Sequence, residues 1–206
     1  SSTSENVSQH VLFIDRKNKS MALNTVLQNK DFKRAIVFSA TKHGADRIVE
    51  HLDKMDISSD AIHGDKKQSV RRKILDNFRQ GRFDVLVATD VAARGLDIPD
   101  MPCVINHELP YNAEDYIHRI GRTGRAGSKG DAIALVDASE KRLLDDIEKL
   151  MKRKLEIQAV PAGASSQSRA SASRVATNTT TAKMTDPFFY QPYEPSMAPQ
   201  AVQSAK

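Results

Sequence analysis

The sequence has little of several features that would each mark a class of protein. A single cysteine, Cys103, excludes an intrachain disulfide framework and a cysteine-based zinc site. Tryptophan is absent, and no apolar run approaches the roughly 20 residues that span a bilayer. The first ten residues are polar and lack the apolar stretch of a secretory signal. These absences favour a cytoplasmic protein with no membrane partner.

The chain nevertheless has the material for a folded core. Of its 206 residues, 39% are hydrophobic and 28% are charged. This length favours one domain, or one domain with a tail. The formal net charge of +5 points only weakly towards an anionic partner, because many ordinary proteins carry as much.

The composition changes near residue 160. The last 46 residues hold five of the eight prolines, and most of the others are Ser, Ala and Thr. This stretch lacks a hydrophobic period that could offset the entropy cost of ordering, so we predict disorder. Its aromatic cluster, Phe188–Tyr193, is either a patch without a role or a docking segment for this chain or a partner. We predict a linker over residues 1–8, a domain over 9–155 and a low-complexity tail over 156–206.

Short apolar runs alternate with helical patterns before the tail. Six strands are predicted, at residues 10–15, 35–39, 58–63, 84–89, 103–108 and 131–137. Helices are predicted over 44–55, 68–79 and 140–152, with a further helical stretch after the first strand. Strands separated by helices of this length indicate crossover connections. The fold class is therefore α/β with a parallel sheet.

Residues suited to binding phosphate follow four of the predicted strands. In open parallel sheets, ligands bind outside the carboxyl ends of the strands. Hydroxyls, glycines and cations stand there in Ser39–Lys42, His63–Asp65, Thr89–Asp90 and Tyr116–Arg125. Each group alone suits a helix cap or a turn. Four groups on one rim favour an anion site, because hydroxyls and helix N-termini bind phosphates.

The segment His118–Arg125 carries the clearest of these signals. Arg119, Arg122 and Arg125 lie three apart, with glycines between them. Glycines allow the backbone to approach a ligand closely, and regularly spaced guanidiniums can direct paired donors at phosphate oxygens. We predict a phosphate-binding loop, and we expect these arginines to line the same rim as Arg71 and Arg94.

Several catalytic motifs are missing from the sequence. It contains no G-x-x-x-x-G-K-[ST] phosphate loop, no Asp-Glu pair after an apolar strand to hold magnesium, no H-x-x-x-H zinc pair and no G-x-S-x-G elbow. No metal site is predicted on this chain. Phosphate-contacting arginines without a nucleotide cradle predict half of a site.

Four segments together resemble the second RecA-like domain of DEAD-box RNA helicases. They are IVFSATK (36–42), IHGDKKQSVRR (62–72), ATDVAARGLDIP (88–99) and YIHRIGRTGRAG (116–127), in the family's order and spacing. The resemblance covers roughly residues 9–151. It implies a RecA-like open parallel sheet flanked by helices on both faces. The overall character of the sequence is similar to that of bacterial members, and His118 favours the RNA helicases over the related DNA helicases.

The resemblance also implies roles for individual residues. Arg122 and Arg125 would act as arginine fingers on ATP, and Asp97 would contact its ribose. Magnesium ligands are expected on a missing N-terminal domain. Contacts to the RNA backbone are implied for Thr41, Gly64, Gln68, Arg71, Thr89 and Gly95. Coupling between the RNA and ATP contacts is implied for Asp90, Arg94, His118 and Arg119.

These features predict the second half of an ATP-dependent RNA helicase core. Its expected partners are RNA, bound without regard to sequence, and its own N-terminal RecA-like domain. Because that domain is not in the sequence, the chain alone is predicted to lack ATPase and unwinding activity. Two alternatives stay open, namely a stand-alone RNA-binding module and a protein-interaction module in which the tail binds a partner.

Overall fold

A parallel sheet forms the centre of the computed structural model, which describes residues 3–158. The predicted low-complexity tail lies outside the described residues, apart from positions 156–158. The strands are β1 (Val7–Phe13), β2 (Ala35–Phe38), β3 (Ser59–Ile62), β4 (Val85–Ala88), β5 (Cys103–Asn106), β6 (Gly130–Val136) and β7 (Glu156–Gln158). The helices are α1 (Lys19–Leu27), α2 (Lys42–Lys54), α3 (Gln68–Arg79), α4 (Asp90–Ala93), α5 (Ala113–Ile120) and α6 (Lys141–Met151).

The strand order is β3-β4-β2-β5-β6-β1-β7, and every neighbouring pair runs parallel. Parallel neighbours need crossover connections, so the connecting helices lie on the faces of the sheet. Helices α1 and α2 pack on one face, and α3 to α6 pack on the other. The predicted fold, a RecA-like open parallel sheet with helices on both faces, is confirmed.

The central strands are buried along their whole length. All four residues are buried in each of β2, β4 and β5, as expected of strands covered on both faces. Alternate side chains along a strand lie on opposite faces of the sheet and pack against different helices. Val37 packs in the cluster with α1 and α2, whereas Ile36 and Phe38 pack in the cluster with α3 and α4.

The two strands at one end of the sheet differ from the prediction. β1 begins at Val7, before the predicted start at residue 10. Its polar Gln9 is buried because its side-chain oxygen accepts a hydrogen bond from the Tyr116 hydroxyl at 2.8 Å. β7 was not predicted, since it contains one apolar residue, Ile157, and forms only by pairing with β1.

Helix α5 stands where a loop was predicted. The Asn112 side chain caps it by accepting a hydrogen bond from the Glu114 N–H at 3.0 Å. Acidic residues occupy its first turn and basic residues its last. A cap residue followed by this charge order is a helix signal that the sequence already contained. The predicted phosphate-binding loop is therefore helical over its first part.

Candidate functional site

Four neighbouring strands end level with one another at the carboxyl edge of the sheet. Their last residues are cross-strand partners: Ile62 with Ala88, Ala88 with Phe38, and Phe38 with Asn106. The residues that follow β3, β4, β2 and β5 therefore lie side by side. As predicted from the sequence, this edge gathers the segments that follow the strands at Ser39, His63 and Thr89.

The residues expected to contact RNA lie along this edge. Gly64 follows β3, Thr89 follows β4, and Thr41 caps α2, its Oγ1 accepting a hydrogen bond from the Gly44 N–H at 3.0 Å. Gln68 and Arg71 lie in the first turn of α3. The structure thus brings side by side the starts of three helices, whose N-terminal N–H groups favour anions.

Gly95 and Arg71 are arranged in ways that suit a ligand. Gly95 has a φ of 72°, and a Cβ built on it would have no atom within 4 Å. Glycine is needed there for its left-handed conformation, and the backbone remains open to close approach. The Arg71 Nε is buried and has no hydrogen-bond partner among the residues described.

Arg119 is buried, contrary to the expectation that it lines the rim. Its side chain is 1% exposed, and Nε and Nη2 donate to the two Asp90 carboxylate oxygens at 2.6 and 2.7 Å. Nη1 donates to Asn106 Oδ1 at 2.9 Å and to the Glu108 carbonyl at 2.7 Å. The guanidinium also lies 5.0 Å from the centroid of the Phe38 ring. Arg119 therefore joins the ends of β4 and β5 to α5, and its donors are engaged within the domain.

The backbone at Arg122 and Arg125 leaves the carboxyl rim. Helix α5 starts from the carboxyl end of β5, and the chain must return to the amino end of the parallel strand β6. The Met101 N–H, just before β5, donates to the Arg122 carbonyl at 2.9 Å, so the backbone here lies beside the amino end of β5. The single-rim prediction is therefore wrong for Arg125, whereas the Arg122 side chain reaches back to the pocket that Asp90 lines.

The glycine between these arginines has a structural explanation. Gly124 has a φ of 67°, and a Cβ there would lie 2.8 Å from Val7 Cγ2 and 3.3 Å from the Asn6 carbonyl oxygen. Close packing against the start of β1 and a left-handed backbone both require glycine. Packing and backbone conformation therefore explain Gly124, without the predicted role in letting a ligand approach.

Both arginines lie along the segment that follows α4. Arg122 Nη1 and Nη2 lie 3.3 and 3.4 Å from the carbonyl oxygens of Leu96 and Ala93. Arg125 donates from Nη1 to the Ile98 carbonyl at 3.0 Å and from Nε to the Gly121 carbonyl at 2.8 Å. The same segment carries Asp97, whose carboxylate is 95% exposed. The predicted ATP-contacting residues are thus brought together.

The electrostatics of this group favour an anionic ligand. Burial lowers the pKa of the Arg122 guanidinium, the neighbouring Arg125 charge lowers it further, and Asp97 opposes both effects. An arginine still stays protonated at neutral pH. Two partly desolvated cations close enough to repel would be stabilised by phosphate, while the exposed Asp97 carboxylate can accept hydrogen bonds from ribose hydroxyls.

The remaining coupling residues lie between these two groups. Arg94 Nη2 donates to Asp115 Oδ1 at 2.9 Å, and His118 Nδ1 lies 3.6 Å from the same oxygen. A small pocket connects them with the arginines; its lining includes Phe38, Asp90, Arg94, Asp115, His118, Arg119 and Arg122. Asp115 was missed, although its spacing of three from His118 on α5 was a readable signal.

A buried ion pair at the ends of β5 and β6 was also missed. The Lys19 side chain is 2% exposed and pairs with Glu140, while its Nζ lies 3.5 Å from Asp137 Oδ2. It also donates to the His107 carbonyl at 2.9 Å, and the Leu109 N–H donates to Glu140 Oε2 at 2.6 Å. Lys19 and Glu140 are far apart in the chain, so no local pattern indicated their contact.

Within residues 3–158, none of the helices combines the length and apolar character needed to cross a bilayer. None of the His, Cys, Asp and Glu side chains in this range form a group of three that could hold a metal ion.

Acidic pH is expected to weaken the carboxyl edge. Burial opposes ionisation of Glu108, yet contacts with the His107 side chain and the Ala40 N–H hold the pKa of its carboxyl below the usual value. A lowered pKa adds stability above the unfolded value of about 4.3, and this contribution is lost as the pH falls through the folded value. In urea titrations the free energy of unfolding should fall below about pH 4.3, more steeply than in Glu108→Gln. Equal pH dependence in both proteins would contradict this prediction.

Comparisons with known proteins identify the family to which this chain is similar. The family described as helicase conserved C-terminal domain matches residues 18–127. The ATP-dependent RNA helicase DbpA of Bacillus subtilis is 42% identical over 160 residues, covering 78% of this chain and 33% of the relative. The chain thus spans about a third of that protein's length.

Solved structures show the same likeness. The E. coli DEAD-box protein SrmB, bound to regulator of ribonuclease activity A, superposes with a TM-score of 0.72 at 34% identity, covering 75% of this chain and 91% of that chain. S. cerevisiae Dbp5 bound to RNA and ADP BeF3 superposes with a TM-score of 0.69 at 33% identity, covering 79% of this chain and 44% of that chain.

Proposed function

This chain belongs to the family of helicase conserved C-terminal domains, of the DEAD-box type, and we propose that it forms half of an RNA-dependent ATPase. The other half would be an N-terminal RecA-like domain, with which it would act as an ATP-dependent RNA helicase in the cytoplasm. The observation that carries the proposal is the placement of Arg122 and Arg125 against the segment that carries Asp97.

The ATP half-site would supply cations and a ribose contact. Arg122 and Arg125 would stabilise negative charge on the transferring phosphoryl group, as arginine fingers do. Asp97 would accept hydrogen bonds from the ribose. The opposing domain would cradle the triphosphate and hold Mg²⁺, which supplies further charge neutralisation when bound.

The RNA surface would be the carboxyl edge of β3, β4 and β2. Its predicted contacts are Thr41, Gly64, Gln68, Arg71, Thr89 and Gly95. Hydroxyls, an unpaired arginine and open glycine backbone suit phosphates and 2′-hydroxyls, which carry no base information. The solved complex of the Dbp5 relative with RNA and ADP BeF3 supports RNA binding by this chain in general, not the individual contacts.

Coupling between RNA and ATP binding would pass through the residues that lie between the two proposed sites. Asp90 lies next to Thr89 of the proposed RNA surface and holds Arg119 of α5. Arg94 and His118 share Asp115 close to Arg122. A shift of α4 on RNA binding would thus reach Arg119 through its Asp90 hydrogen bonds and Arg122 through the Ala93 carbonyl. Such a link lets each ligand favour the same closed arrangement of the two domains.

RNA binding by this chain tests the proposal. At low salt, Arg71→Ala should weaken binding of a labelled single-stranded RNA by about tenfold or more, because a charge-assisted hydrogen bond is lost. The slope of log K against log salt should become shallower by about 0.7, the value for one phosphate on a single strand. Fluorescence anisotropy over a salt series measures both quantities.

Arg82→Ala is the matched control, because Arg82 is exposed just before β4 at the opposite edge of the sheet. It removes the same charge and should leave the affinity nearly unchanged. Equal effects of the two substitutions would contradict a specific RNA surface at this edge.

A further inference from the structure

A crevice opens at the carboxyl ends of β2, β5 and β6, beside the proposed RNA surface. Its volume is about 320 Å³. We call it the β5–β6 crevice; its lining includes Arg16, Lys19, Ala40, Arg47, His107 and Tyr111. None of the residues predicted from the sequence to bind ATP or RNA lines it. Ala40 and Gly44, on either side of Thr41, connect it directly with the RNA surface.

The polar groups in the floor of the crevice are already paired with other groups of the same chain. Lys19 is paired with Glu140, and the Ala40 N–H donates to Glu108 Oε2 at 3.0 Å. The Glu108 carboxylate therefore occupies the position at the start of α2 that a small anion would take. A free phosphate ion is for this reason a poor fit to the interior.

The mouth of the crevice, by contrast, offers unused groups. Arg16 and Arg47 are exposed, and neither side chain has a hydrogen bond or ion pair within residues 5–158. The Tyr111 side chain lies in the same lining and is 83% exposed. An aromatic ring this exposed is accessible to a nucleobase that stacks on its face.

His107 lies in the wall of the crevice and offers no free group to a ligand. Its side chain is 12% exposed, and its Nδ1 lies 3.5 Å from Glu108 Oε1, the carboxyl whose pKa it helps to lower. Because both ring nitrogens are buried, binding in the crevice depends on the groups at its mouth.

We propose that the β5–β6 crevice binds one further nucleotide of the RNA strand, next to those at Thr41. The base would stack on Tyr111, and the phosphate would lie between Arg16 and Arg47. The volume lies at the lower end of small-molecule sites, as suits one nucleotide. Stacking on an aromatic side chain combined with cations for the backbone is how single strands are held without sequence preference. This inference rests on the proposed RNA function.

The test uses the whole chain and labelled oligouridylates of about 4 to 16 nucleotides, the range of common single-strand sites. The wild-type affinity should rise with length until the crevice is filled. In the double variant Arg16→Ala, Arg47→Ala the affinity should stop rising at a shorter oligouridylate than in the wild type. Its affinity for longer strands should be about tenfold lower. Tyr111→Ala should cost about fivefold or more, whereas Tyr111→Phe should retain the affinity.

The matched control is Lys33→Ala, Arg82→Ala, which removes two exposed cations just before β2 and β4 at the opposite edge. If the Arg16→Ala, Arg47→Ala variant lost no more RNA affinity than this control, the proposed crevice site would be overturned. If Arg71→Ala still weakened binding, the proposed RNA surface would stand. If Arg71→Ala also matched the control, both proposals would fail. Uridine monophosphate or inorganic phosphate that displaced the strand with the affinity of the oligouridylate would assign the crevice to a free anion and overturn the strand assignment.

Discussion

Arg125→Ala should lower RNA-stimulated ATP hydrolysis by about 10³-fold or more when this chain is combined with the proposed N-terminal RecA-like domain. The Arg125 guanidinium is held on the Ile98 and Gly121 carbonyls, beside the segment that carries Asp97. Two hydrogen bonds already orient it, so little reorganisation is needed before it meets transition-state charge. The measurement is steady-state turnover at saturating ATP and RNA. This chain alone should show negligible turnover.

Two controls separate a lost phosphate contact from a damaged fold. Arg82→Ala removes an exposed arginine at the other edge and should retain the wild-type rate. Arg125→Lys keeps a charge without the paired donors of a guanidinium and should recover little. Near wild-type turnover in Arg125→Ala would remove this residue from the ATP site, as would family-level turnover by this chain without a second domain.

Lys19→Met should destabilise the domain by about 3–5 kcal/mol. The substitution leaves Glu140 and Asp137 buried next to each other without their ammonium partner, and the His107 carbonyl loses its donor. A buried charge without compensation is among the largest penalties that a single substitution can produce. Urea unfolding of the whole chain near neutral pH measures the change in the midpoint.

The double variant Lys19→Met, Glu140→Gln tests the physical cause. Glutamine keeps an oxygen for the Leu109 N–H, and its neutral side chain removes one of the two uncompensated charges and the repulsion between them. The double variant should therefore be more stable than Lys19→Met alone, and the coupling energy isolates the ion pair. A double variant less stable than either single variant would show that packing, rather than charge, dominates at this position.

Much of the fold could be read from local sequence. The four-residue strands β2, β4 and β5 are apolar throughout or nearly so because both faces are covered, and amphipathic α2 follows β2 while amphipathic α3 precedes β4. Parallel topology then places the residues after β2, β3 and β4 on one edge. The residues of the proposed RNA surface could for that reason be predicted from the sequence.

Long-range pairings could not be read in the same way. Arg119 has the same spacing as Arg122 and Arg125, yet only Arg119 faces the ends of β4 and β5. Arg119 is buried because it lies on the face of α5 that packs against the sheet, where Asp90 and Asn106 accept its hydrogen bonds, whereas Arg122 and Arg125 lie beyond the end of that helix. Equal spacing in sequence therefore does not give equal exposure.

The sequence by itself determined the α/β class, the parallel crossover pattern and the residue types at the carboxyl edge, because these follow from local periodicity and strand polarity. Only the tertiary structure decided that the backbone at Arg122 and Arg125 lies beside the amino end of β5, since the return of the chain to β6 carries it there. It alone also decided that Arg119 and Lys19 are buried and paired. Those pairs join segments distant in the chain, and their energy arises only once the sheet has brought them together.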